Sequence, residues 1–215
     1  MTRASRTARA GGAFLLPVLV AVLFPGRAAA HLVQTGFGPL VDGIFHMLVG
    51  PDALLLALSA GLLCALNALR GPEQQRAARA GGGLFLYGWA IFCAAGAWCQ
   101  YPFDYPITAA LSLALLGVLT AADLALPPAV LHVALGWAGA VYGIIAGGAM
   151  EGMERRLIWI MYAVDFTLLL LVFLAARALL LRFPRIRIAA RVAGSWVTAI
   201  AMLQLGWSLR MRNMV

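Results

Sequence analysis

The sequence predicts an all-α protein, a polytopic transmembrane bundle of about six spans, and three observations carry that prediction. The chain of 215 residues is 63% hydrophobic and only 11% charged, with a mean hydropathy of +0.92, a composition foreign to soluble domains. Apolar runs recur at close to the ~20 residues that cross a hydrocarbon core. Every cation is arginine, gathered in short clusters between those runs as topology signals are. The formal charge of +8 is therefore a membrane feature, and no soluble basic surface exists to bind nucleic acid.

Residues 1–30 read as a secretory signal peptide. Arg3, Arg6 and Arg9 form its positive region, Ala13 to Phe24 its apolar region, and Ala28-Ala29-Ala30 a small-residue cleavage site. The alternative is an uncleaved first membrane helix, against which the short apolar run counts. Cleavage after Ala30 leaves a single domain, 31–215, with twelve arginines against eight acids and a charge of +4. Its first residue is then His31, whose free amine and imidazole can chelate one metal ion together.

The six spans fall at approximately 40–69, 81–99, 107–126, 129–149, 157–181 and 190–209. The first is too long for a plain span and carries Gly50-Pro51 in its middle, where proline removes a backbone donor and turns the preceding residue away from helix. The spacing predicts a short helix over 40–49, a break, and a second helix from Pro51 to Leu69. Such breaks persist in membranes only where protein or a water-filled cavity satisfies the freed backbone groups, and they are frequent at ion sites. The other reading is a bend that relieves packing.

Arginine counts orient the chain. Arg70, Arg76, Arg79, Arg182, Arg185, Arg187 and Arg191 fall on one side and Arg155, Arg156, Arg210 and Arg212 on the other. This favours both ends outside and a periplasmic mature N-terminus, in the bacterial inner (cytoplasmic) membrane. Gly139, Gly143 and Gly147 leave one face of the fourth span without side chains, so that another helix can approach closely.

The ionisable residues sort into two groups by depth. Asp42 and His46 share a face four residues apart, Asp52 follows the Gly50-Pro51 break, and Asp165 lies in the outer half of the fifth span. With Glu151 and Glu154 at the outer mouth, these can form a carboxylate and imidazole set suited to a borderline divalent cation. Internal pairing, His46 with Asp42 and Asp165 with a neighbouring helix, is the alternative. Asp123 and His132, near the inner ends of spans three and four and joined by Pro127-Pro128, read either as an inner relay or as a structural ion pair. Cys64, Cys93 and Cys99 show no CxxC spacing and read as small core residues. Met150, Met153, Met211 and Met214 offer soft ligands to copper(I) or simply fill gaps. No GxSxG, HExxH, Walker loop or GxGxxG is present, so nothing points to an enzyme.

The run Gly43-Ile44-Phe45-His46-Met47-Leu48-Val49-Gly50-Pro51-Asp52-Ala53-Leu54-Leu55-Leu56 resembles the first-span signature of the HupE/UreJ family, hydrogenase and urease accessory membrane proteins regarded as nickel or cobalt permeases. That signature is a histidine, five residues, then Asp-His and leucines, behind a cleaved signal peptide. His46 and Asp52 match it, and Ala53 stands where the family has its second histidine. The family's later FHGxxHGxE motif is not recovered; Leu131-His132-Val133 is a faint echo of it.

The resemblance implies an inner-membrane permease that moves a divalent transition metal, nickel or cobalt, from periplasm to cytoplasm, with no tightly bound cofactor. Its partners would be the bilayer, the metal ion and metalloenzyme maturation proteins. His46 and Asp52 would be direct ligands, Asp42 a carboxylate at the mouth, and Asp165 a partner from the fifth span. Two other readings stand beside it: a non-transporting assembly scaffold that packs through the Gly139/Gly143/Gly147 face, and copper acquisition through His31 and the outer methionines.

Overall fold

The computed structural model describes residues 41, 44, 51–99, 105–150 and 153–212. Among them are six α-helices and no strand: α1 (Asp52–Ala68), α2 (Pro72–Cys99), α3 (Pro106–Ala122), α4 (Pro128–Gly148), α5 (Arg155–Arg182) and, after a 3-10 turn, α6 (Arg187–Arg212). Prolines at the starts of α3 and α4 occupy first-turn positions where the missing N–H costs nothing. Gly71, at φ 136°, makes the tight turn from α1 into α2.

Among the described residues four segments are long and apolar enough to cross a membrane: α2, α4, α5 and Pro184–Arg212; α1 and α3 are apolar helices of 17 residues each. The spans predicted at 107–126, 129–149 and 157–181 lie within a few residues of α3, α4 and α5. Helix α2 begins nine residues before the apolar run does, because Glu73, Gln74, Gln75 and Arg76 are themselves good helix formers.

Packing divides the bundle into three close pairs. Along α2 and α4, a Cβ at Gly139, Gly143 or Gly147 would strike the carbonyl oxygens of Phe85, Trp89 and Cys93 in turn. Three glycines four apart thus meet three α2 carbonyls four apart, and the helices run parallel in near backbone contact. The glycine face on which a scaffold would dock is filled by the chain's own α2. Helices α3 and α6 pack antiparallel through Gly117 and Gly194, where a Cβ on Gly194 would lie 2.6 Å from the Ala121 nitrogen. These two glycines are not spaced within one helix, so no repeat announced them.

Helix α1 occupies the centre: Leu56, Ala57 and every residue from Ser59 to Asn67 are buried. It runs parallel to α5, with Gly61 set against the backbone of Phe173 and the side chain of Ala176, and Leu66 clustered with Leu180. Counting back two turns from Gly61 and Phe173 puts the start of α1 level with Asp165. Since Asp165 lies ten residues inside α5, about 15 Å at 1.5 Å per residue, α1 begins well below the start of α5, with Pro51 exposed and Asp52 half-buried. Pro51 is the N-cap of α1, which is where the second helix of the first span is expected to start; Gly50 lies outside the described residues. Val41 and Ile44 are helical; the remainder of the short helix expected over 40–49 lies outside the described residues.

Candidate functional site

Asp52 is the first residue of α1, and its carboxylate sits where the helix dipole is positive and four N–H groups lack intrahelical acceptors. Gln204, from the middle of α6, donates its Nε2–H to Asp52 Oδ1 at 2.5 Å. Tyr142 of α4, 5% exposed, donates to the Ala109 carbonyl at 3.3 Å and is near enough for Asp52 to act on it electrostatically. Asp52 thus takes one hydrogen bond, from α6, and keeps acceptor capacity of its own. Gln204 was not singled out from sequence; its signal was a lone amide in the apolar run Met202-Leu203-Gln204-Leu205-Gly206.

Asp165 stands at the same depth on α5. That helix buries one stripe only, Met161, Asp165, Leu169, Phe173, Ala176 and Leu180, and the stripe contains this single carboxylate. Asp165 is 1% exposed, and its Oδ1 has no hydrogen-bond partner. A partnerless acceptor in an apolar interior costs of the order of 1–3 kcal/mol and calls for a ligand, a water or a function.

The other carboxylate group is built differently. Asp123 closes α3 in the left-handed region, φ 50° and ψ 46°, a conformation that aspartate tolerates better than most residues. Arg70 Nη2 donates to Asp123 Oδ1 at 2.8 Å and also to its carbonyl, Arg187 Nη2 to Oδ1 at 2.9 Å, and Arg187 Nε to Oδ2. Arg191 adds a bond to the Ala121 carbonyl at 3.1 Å. Burial alone would raise the Asp123 carboxyl, but the bonds and charges of Arg187 and then Arg70 outweigh it and hold the group below the usual aspartate range. His132 makes its contact elsewhere: Nε2 meets the Ala77 carbonyl of α2 at 3.0 Å, the geometry of a donating imidazole. The residues of the expected inner relay therefore take separate partners, and Asp123 offers no free oxygen to a passing cation.

Of the remaining candidates, His31, Asp42, His46 and Glu151 lie outside the described residues. Among the described residues no three of His, Cys, Asp and Glu converge as a ready metal cage. Glu154 pairs with Arg156 at 3.1 Å on the exposed surface. Cys64 and Cys93 are buried and Cys99 is exposed. Met150 is buried, whereas Met211 is 44% exposed at the end of α6.

Six apolar helices among the described residues, five of them around a central α1, with Asp165 buried inside the bundle, define a multi-pass helical membrane protein. A family model described as HupE / UreJ protein matches residues 19–204, and the chain belongs to that family. It is a family of membrane accessory and transport proteins rather than of enzymes. No curated protein and no solved structure matches the chain.

Proposed function

We propose that the protein is an inner-membrane permease for a divalent transition metal ion, nickel or cobalt, which it passes from periplasm to cytoplasm. Membership of a family associated with nickel and cobalt accessory transport supports the cargo. The observation that carries the reading is Asp52: a half-buried carboxylate at the N-terminus of the central helix, held by Gln204 of α6 and level with Asp165. A dicarboxylate and imidazole site made of Asp52, His46 and Asp42 would draw the cation inward, and Asp165 stands level with it for onward transfer. Imidazole and carboxylate together suit Ni²⁺ and Co²⁺.

The test is a panel of cellular metals measured by mass spectrometry in cells producing wild type or Asp52→Ala at matched levels. A gain in nickel or cobalt that disappears in the variant is the expected result. No gain in any metal would overturn the reading and shift weight to an assembly role.

A further inference from the structure

We propose that Cys93, Met161 and Asp165 form a second, buried station for a borderline divalent metal ion, beside Asp52 and at its depth. The proposal rests on the permease reading for its purpose, but on the geometry of α2 and α5 for its residues.

Helices α2 and α5 run antiparallel, and their contacts fix the register. Arg155 lies over the Trp98 ring at 6.0 Å, Tyr162 donates to the Ala90 carbonyl at 3.3 Å, and Phe85 stacks on Phe173 at 5.8 Å. This ladder sets Cys93 close to the level of Met161, with Asp165 one turn further along α5, level with Trp89. Met161 and Asp165 are four apart on the one buried stripe of α5, so both face inward on neighbouring turns. Cys93 is 0% exposed, Met161 1% and Asp165 1%, and Cys93 and Asp165 are close enough to interact electrostatically.

Two polar atoms here are buried without partners: Asp165 Oδ1 and, one turn from Cys93, the indole Nε1 of Trp89, whose ring lies 5.9 Å from Tyr162 and 5.8 Å from Phe166. A lone acceptor and a lone donor at one level of an apolar interior are the mark of a place built for something else. Thiolate, thioether and carboxylate supply two soft donors and one hard one, which favours Co²⁺ or Ni²⁺ over Mg²⁺ or Ca²⁺. On binding, the Sγ–metal bond forms as the Cys93 thiol gives up its proton to solvent.

The ion reaches this station from Asp52 rather than from the cleft above it. That cleft, of about 560 Å³, is lined by Trp98, Ile158, Trp159, Tyr162 and Arg155, whose cation repels a divalent ion.

The test is a Co²⁺ titration of the purified full-length protein, read by the near-ultraviolet thiolate-to-cobalt absorption. Wild type, Cys64→Ser and Cys99→Ser should all show the band, Cys93→Ser should lose it, and Asp165→Asn should need roughly tenfold more Co²⁺. Cobalt bound to wild type without a thiolate band, or a band surviving in Cys93→Ser, overturns the station. Should the Cys93 variant not fold, Asp165→Asn carries the test: a thiolate band reached at the same Co²⁺ concentration as in wild type would refute the proposal. The permease reading is judged separately, because Asp52-dependent accumulation without a thiolate band removes only the station.

Discussion

The two ends of the bundle treat the same side chain in opposite ways. At the arginine-rich end, Asp123 is saturated by Arg70 and Arg187 and joins the α1–α2 turn, the end of α3 and the start of α6. At the other end, Asp52 has one amide and Asp165 leaves an oxygen without any partner. A carboxylate whose lone pairs are filled by guanidinium is a structural fastener. One that keeps them, despite the cost of burial, is available to a ligand. The difference teaches that depth alone does not mark a site; the number of partners already taken does.

The largest effect should separate the two acids by readout. Asp52→Ala should reduce metal accumulation to the level of cells lacking the protein, with the variant extracted in wild-type amount. Asp123→Asn should leave accumulation per folded molecule unchanged. Equal loss in both variants would erase the contrast.

Next in size is the helix pair that connects the ends. Gly143→Leu forces a side chain into the Trp89 backbone and should destabilise by about 1–3 kcal/mol, read as a lowered thermal midpoint in detergent. Smaller again is Asp123→Asn, which strands two arginines that are themselves partly exposed; solvent screening limits the cost to roughly 1 kcal/mol. The pH dependence has a definite sign. Asp123 is lowered in the folded state, so its contribution is complete above the unfolded value near ~4 and fades as pH falls through the lower folded value. The thermal midpoint of wild type should therefore drop in that acid window, more steeply than that of Asp123→Asn. The smallest effect has the opposite direction: a Cβ at Gly83 meets only Tyr87 at 3.9 Å, so Gly83→Ala should stabilise α2 by about 0.5–1 kcal/mol.

Helix positions were legible because the apolar runs, prolines and arginines that delimit them are local signals. The start of α1 at Asp52 was legible for the same reason, since Pro51 acts on its own backbone. Partners across the bundle were not. Nothing near Asp123 in the chain points to Arg187, 64 residues away, and the nearer His132 made the more obvious companion. Gln204 meets Asp52 over a separation of 152 residues, and only the packing of α6 against α1 and α3 brings them together. The glycines of α4 showed that a close helix would come but not that it would be α2, whose own carbonyls supply the complementary ridge.

The most direct test of the contrast is Ni²⁺ influx into proteoliposomes containing purified wild type, Asp52→Ala or Asp123→Asn, followed with an entrapped metal-sensitive dye. The account predicts influx for wild type and for Asp123→Asn, and none above protein-free vesicles for Asp52→Ala. Influx through Asp52→Ala at the wild-type rate would contradict it.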